Sequence, residues 1–435
     1  MTFATIAEPR VPSRGSLRSA QSALPREQRN LTAALPFLGP ALIASIAYMD
    51  PGNIATNIQG GASDGYKLLW VVLAANLVAM LFQALSAKLG IVTGSNLAEL
   101  SRLHFPKRLV YAMWAAAEIG AMATDLAEFL GASIALELLL HLSLLAATLL
   151  TGAVTYAALE FERRGARLIE TLIAALVGVI GLSYLAETIL ARPDWSEIAY
   201  HSVVPWLGGS DSVLLAAGIV GATVMPHALY LHGSLTQARR LPGLAGQIRR
   251  QIRLSNIDVG VALGLAGLIN LAMMYMAAAV FHDGAHDGIA DIETAYRTLG
   301  PLLGHAAAGI FLVSLLASGL SSSVVGTMAG QVVMQGFVGW RIPLWLRRLV
   351  TMLPAVAVAA LGVSATDTLV ISQVVLSLVL PVPMLTLIAF TNRASLMGGM
   401  ANSRAIAVLA TVAAIAILVL NLALLLELCG VALPF

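Results

Sequence analysis

From residue 39 to residue 428 the chain is a succession of eleven apolar stretches, near 39–63, 67–88, 109–137, 141–159, 168–190, 212–238, 255–281, 299–334, 344–362, 368–391 and 405–428. A helix needs about 20 apolar residues to cross the hydrocarbon core of a bilayer. The stretches therefore predict an all-α polytopic membrane protein with 11 transmembrane helices, the eighth stretch being long enough to hold more than a simple span. Only 11% of the residues are charged and 58% are hydrophobic, against about 25% charged in a soluble domain. Too few ions exist to cover a soluble surface, which excludes a soluble enzyme, a nucleic-acid binder and a disordered scaffold. The one cysteine, Cys429, excludes an internal disulfide framework and a cysteine-built metal cage.

Residues 1–38 differ from the rest. Their segment VPSRGSLRSAQSALPREQRN is polar and aperiodic, which predicts a disordered tail, and it lacks the apolar core and cleavage site of a secretory signal. Assigning loops alternately to two sides puts 22 of the 25 Lys and Arg residues with this tail, leaving Lys67, Arg192 and Arg297 opposite. A miscounted span would swap every later loop and destroy the asymmetry. By the positive-inside rule the tail is cytoplasmic. An odd span count then puts the C-terminus on the extracellular or periplasmic side of a plasma (inner) membrane. The opposite loops are acidic, with Asp194, Glu197, Asp211, Asp283, Asp287, Asp291 and Glu293; they read as solvated loops or as a weak attractor of cations.

Two stretches are broken from within. Asp50-Pro51-Gly52-Asn53 interrupts the first, and Met225-Pro226-His227 the sixth. Proline has no N–H and clashes with the carbonyl four residues earlier, so a helix kinks or unwinds there. In hydrocarbon such backbone survives only where it is buried in protein or lines a cavity. The breaks lie five spans apart, and because five is odd the two halves insert upside down relative to each other. This predicts inverted five-helix repeats over 39–190 and 212–391, then an eleventh helix and a short C-terminus over 405–435. Matched interrupted helices in inverted halves point to a transporter's midplane binding site.

The ligand chemistry follows from the residues. Asp50 offers a carboxylate, Asn53 an amide oxygen and Met225 a thioether, while the prolines free the carbonyls of Ala47 and Ala222. Hard oxygens with one soft sulfur suit borderline divalent ions such as Mn²⁺ and Fe²⁺. Mg²⁺ and Ca²⁺ prefer all-oxygen shells, so Met225 should discriminate against them.

The pair Asp50-Pro51-Gly52-Asn53 and Met225-Pro226-His227 resembles the signature of the natural-resistance-associated macrophage protein (Nramp) family, and the likeness extends from about residue 36 to the last span. The resemblance implies a proton-coupled divalent-metal transporter with a leucine-transporter-type fold, working by alternating access. It implies Asp50, Asn53 and Met225 as metal ligands with the carbonyls of Ala47 and Ala222, and adds Gln373 of the tenth span, which spacing alone reads as a packing hydrogen-bonder. Bacterial relatives of this type import Mn²⁺, with Fe²⁺ and Cd²⁺ also accepted. No resident cofactor is implied: metal is the substrate and H⁺ the coupling ion. The partners expected are metal, proton and lipid, with a monomer as the working unit.

Ionisable side chains inside spans are functional candidates by default. The third span carries Glu118, Asp125 and Glu128; at about 100° per residue the three share one broad face. His227 adjoins the second break, His232 follows on the same helix, and Arg347 and Arg348 open the ninth span. Asp50, His227, Asp125 and Glu128 form a plausible proton relay, and the resemblance supports a route through the third and ninth spans. Glu118 with Arg347 or Arg348 reads equally as a static buried ion pair, and His232 as a satisfied hydrogen-bonder. Gly319, Gly326, Ser318 and Ser321–Ser323 of the eighth span read as close helix packing.

The nearest rival is a sodium-coupled amino-acid symporter of the same fold, which presents helix N-termini to a substrate carboxylate; an anionic Asp50 at the break would repel that group. An intramembrane metalloenzyme should carry His-Glu-x-x-His, and the chain has no such string. Saturable, pH-dependent flux separates a carrier from a channel.

Overall fold

A computed structural model of the chain describes residues 39–162, 166–240, 245–282 and 291–431. The expected tail lies outside them, as do Asp283 and Asp287. The described elements are all helical. In chain order they are α1 (Pro40–Ile46), which tightens into a 3₁₀ turn over Ala47–Met49, α2 (Pro51–Asp64), α3 (Leu69–Thr93), α4 (Leu97–His104), α5 (Lys107–Leu140), α6 (Leu144–Glu162) and α7 (Ala166–Ala191). Then come α8 (Trp195–His201), α9 (Ser210–Val224), α10 (Pro226–Ala238), α11 (Ala245–Phe281), α12 (Ile292–Leu303) and α13 (His305–Val338). The chain closes with α14 (Leu344–Leu361), α15 (Ala365–Val379), α16 (Pro381–Thr391), α17 (Ala394–Met397) and α18 (Arg404–Leu428).

Long-range hydrogen bonds sort the loops into two ends. At one end Lys88 Nζ donates to Asn402 Oδ1 (2.5 Å), Arg102 Nη1 to the Gln335 carbonyl (3.2 Å) and Gln237 Nε2 to the Gly94 carbonyl (3.1 Å). At the other, Trp70 Nε1 donates to the Trp206 carbonyl (3.0 Å), the Asp194 N–H to Tyr66 Oη (3.2 Å) and the Ile292 N–H to Thr366 Oγ1 (3.1 Å). The first end carries Lys88, Arg102 and Arg240, and the second carries Lys67. The loops joined by these bonds fall on the sides that charge predicts for them, and Arg347 and Arg348, expected in a loop, lie buried in α14.

Six helical runs among the described residues are by themselves long and apolar enough to cross a membrane, or up to eight when two bent pairs are counted. The chain is a multi-pass membrane protein, but the count of eleven is not established by length and apolarity. α14, 18 residues long and interrupted by Pro354, is not among the runs counted. The eighth stretch does hold more than one helix, α12 and α13, and the tenth breaks at Pro381 into α15 and α16. α18 shows the bilayer most plainly. Ala410, Ala413, Ala414, Ile417, Asn421 and Leu424 face protein at helical spacing, while Val408, Val412, Val419 and Leu422 are exposed, an apolar face that only lipid suits.

Candidate metal site

The first break is a helix start built inside the bundle. Asp50 is extended (φ −77°, ψ 168°) and caps α2, its Oδ1 accepting from the Asn53 N–H at 2.8 Å, with Pro51 at the first helical position. An aspartate cap followed by proline is a favoured way to begin a helix. The second break is sharper. Met225, buried between α9 and α10, holds φ at 36°, a left-handed conformation that costs a residue with a Cβ about 1–3 kcal/mol.

Asn53 ties the two breaks together. Its Nδ2 donates to Asp50 Oδ1 (2.8 Å) and to the Ala222 carbonyl (3.0 Å), and its Oδ1 accepts from Thr223 Oγ1 (3.4 Å). Ala222 is the carbonyl expected to be freed by Pro226. Two neighbouring unwound carbonyls are met from other helices: Met49 by Ser318 Oγ of α13 (2.5 Å) and Tyr48 by Asn270 Nδ2 of α11 (2.8 Å). α15 adds Gln373, whose side chain lies across Gly52 and whose Nε2 donates to Ser372 Oγ (2.9 Å).

Asp50, Asn53, Met225, Ala47, Ala222 and Gln373 are all buried. Among the described residues, Asp50 Oδ2 and Gln373 Oε1 find no hydrogen-bond partner. A buried acceptor left so is costly, and a cation supplies what both lack. No group of three or more His, Cys, Asp or Glu side chains among the described residues is placed to hold a metal. A site here would depend on amide, carbonyl and thioether atoms around one carboxylate.

The ionisable groups fall into two sets. In the first, α5 and α14 form a ladder. Arg347 Nη2 meets Glu118 Oε1 at 2.7 Å and Arg348 Nη1 lies 3.5 Å from Asp125 Oδ1. Glu128 lies near Asp125, and neither of its oxygens has a hydrogen bond of ordinary geometry among the described residues. His227 joins this set through Thr124 of α5, its Nδ1 3.0 Å from Thr124 Oγ1. His232 belongs elsewhere: its Nδ1 lies 2.8 Å from Gln83 Oε1 of α3, and Gln83 Nε2 donates to Tyr48 Oη at 2.6 Å. Thr223, Gln83 and Tyr48 were not singled out from sequence. A polar residue in an apolar run was the only signal for Gln83. Glu187 of α7 was also passed over; it is buried with both oxygens unpartnered among the described residues.

Below the breaks, at the cation-rich end, a cavity of about 660 Å³ opens between the α3–α4 corner (Gly94, Asn96, Glu99), Gln237 of α10 and Gln335 of α13. α10 spans the distance from Met225 to this vestibule.

Paired interrupted helices around a buried polar centre define a polytopic membrane transporter rather than an enzyme. A family model for natural resistance-associated macrophage protein-like sequences matches residues 41–427, and the chain belongs to this Nramp family. It is 60% identical, over 92% of both chains, to a protein of Acidiphilium cryptum named divalent metal cation transporter MntH. The manganese transporter of Eremococcus coleocola, solved with an aromatic bis-isothiourea substituted compound, superposes with a TM-score of 0.84 at 34% identity, over 92% of this chain and 88% of that one. Mhp1, a nucleobase-cation-symport-1 family transporter in a closed conformation, matches at 13% identity with a TM-score of 0.60 over 91% and 90% of the chains, a likeness of fold alone. The leucine-transporter-type fold expected from the resemblance is the fold found.

Proposed function

We propose that this protein imports divalent transition metals, Mn²⁺ foremost with Fe²⁺ and Cd²⁺ also accepted, in symport with protons and by alternating access. The observation that carries the reading is the junction of the two breaks, where Asp50 Oδ2 and Gln373 Oε1 lack partners among the described residues and Asn53 binds both breaks. Asp50, Asn53, Met225, Gln373 and the carbonyls of Ala47 and Ala222 act as ligands, with Met225 filtering out Ca²⁺ and Mg²⁺. The likeness to the manganese transporter of Eremococcus coleocola supports the choice of ion.

Protons move along the α5–α14 ladder, which His227 joins to the second break, with Glu118, Asp125, Glu128, Arg347 and Arg348 as its members. His232 is a further member, linked through Gln83 to Tyr48 beside the first break. The cation-rich end faces the cytoplasm of a plasma (inner) membrane, the C-terminus faces out, and one chain is the working unit. Residues 39–190 and 212–391 are the two inverted repeats. The amino-acid symporter fares worse, because a substrate carboxylate would meet the buried Asp50.

Asp50→Ala tests the reading. Mn²⁺ uptake into proteoliposomes should fall to the background of protein-free vesicles, and uptake at the wild-type rate would remove the site.

A further inference from the structure

Arg348 is buried in α14 and reaches α13 and α5 at once. Its hydrogen bonds all go to α13. Nη1 donates to the Ser323 carbonyl (3.1 Å) and to Thr327 Oγ1 (2.8 Å), and Nη2 donates to Ser323 Oγ. The hydroxyl proton of Thr327 is committed to the Ser323 carbonyl at 2.9 Å, so its oxygen offers the guanidinium only lone pairs. The guanidinium also lies over the Phe129 ring, 4.6 Å from its centroid.

A guanidinium is a planar fork whose strongest partner is a carboxylate held by two parallel bonds. Here the fork's hydrogen bonds go to α13, and its acid is met only as a longer ion pair. Asp125 Oδ1 stands 3.5 Å from Nη1 and makes no hydrogen bond among the described residues. Gly326, between Ser323 and Thr327, keeps the space beside the acids open: a Cβ there would sit 2.7 Å and 2.9 Å from the Glu128 oxygens and 3.0 Å from Asp125 Oδ1.

We propose that Ser323 and Thr327 are positioning residues for proton transfer, holding the Arg348 guanidinium off Asp125 so that this carboxyl stays open to a proton. The inference rests on the proton coupling proposed above. The other charged or titratable groups around the clamp are Glu118 and Glu128 on α5, Arg347 on α14, Tyr156 on α6, His227 on α10 and Asp50 at the first break. α13 contributes no charge between Ser321 and Gly330, so on that side the guanidinium meets only two hydroxyls and a carbonyl.

Thr327→Val removes one acceptor and keeps the shape. The guanidinium then turns to Asp125 Oδ1, less than an ångström beyond hydrogen-bond distance. A carboxylate bonded to a cation keeps its charge to lower pH. The measurement is Mn²⁺-driven proton entry into proteoliposomes holding a trapped pH dye, at pH 5 to 8. In Thr327→Val and in Ser323→Ala the pH profile of proton entry should no longer follow wild type, and flux near neutrality should fall about tenfold. Thr327→Ser restores the acceptor and should follow wild type. The Mn²⁺ Kd by calorimetry should stay unchanged in all three. Ser323→Ala carries the test if Thr327→Val does not fold. Profiles that superimpose on wild type, or a Thr327→Ser as impaired as Thr327→Val, would overturn the positioning role. A wild-type protein that carries Mn²⁺ with no proton entry would overturn the coupling itself, before any variant is compared.

Discussion

Gly52 allows the metal site to be perturbed without removing a proposed ligand. It is the second residue of α2, and a Cβ there would run into Nε2 and Cδ of Gln373 and sit 2.9 Å from Oε1. Gly52 is helical, and alanine is favoured over glycine in a helix by about 1 kcal/mol. The collision is with the mobile end of a side chain, so turning Gln373 aside relieves it. That turn costs the Nε2 bond to Ser372 Oγ, 2.9 Å long and worth about 1 kcal/mol. The two effects nearly cancel, so Gly52→Ala should unfold within a few degrees of wild type. Affinity has no such compensation. Restoring ordinary contact distance moves the amide by roughly 1.5 Å, and displacing a group that contacts or orients a metal costs about 10- to 100-fold. Calorimetric Mn²⁺ titration of the detergent-solubilised protein, beside thermal unfolding, reads both quantities. A Gly52→Ala/Gln373→Ala double variant removes the amide that the methyl strikes, so affinity should match Gln373→Ala alone. Wild-type affinity in the single variant, or additive losses in the double, would refute the placement of Gln373 at the site.

Met225→Ala should keep Mn²⁺ uptake while admitting Ca²⁺ or Mg²⁺, because the sulfur is the only soft atom among the proposed ligands. Both residues carry a Cβ, so the left-handed backbone at this position is equally strained in each; an unchanged order of competition among the metals would show that sulfur is not the filter. Glu118→Gln leaves the buried Arg347 without the opposite charge that stands 2.7 Å away and should lower stability by about 3 kcal/mol. Pairing it with Arg347→Met should recover most of the loss. Thermal unfolding of the purified variants decides this, and a Glu118→Gln protein as stable as wild type would mean that the pair is no strut.

Both breaks were legible in the sequence because a proline inside an apolar run acts on its own backbone and needs no knowledge of neighbours. The two ends of the bundle were legible for a related reason: charge stays in water unless something compensates it, and alternation of loops does the rest. Arg347 and Arg348 are the exception that needed the structure. Their burial is compensated by Glu118, Asp125 and the α13 hydroxyls, partners that come from other helices.

The same distinction explains what was missed at the site. Ser318 and its neighbours on α13 read as close packing, and they do pack, but Ser318 also donates to the Met49 carbonyl beside Asp50. Asn270 does likewise for Tyr48, and Asn53 for Ala222. A helix unwound in hydrocarbon leaves carbonyls that must find donors, so a broken span commits other helices to supply them. How many donors are needed follows from the break itself. Which serine or asparagine supplies each depends on how α2, α11 and α13 are rotated against it, and apolar periodicity leaves that rotation open in helices whose every face is apolar, as α13 is over much of its length. A donor lost from such a set leaves a carbonyl without a partner beside the proposed ligands. The polar residues of the eighth and seventh spans therefore belong to the architecture of the proposed metal site even though none is a proposed ligand.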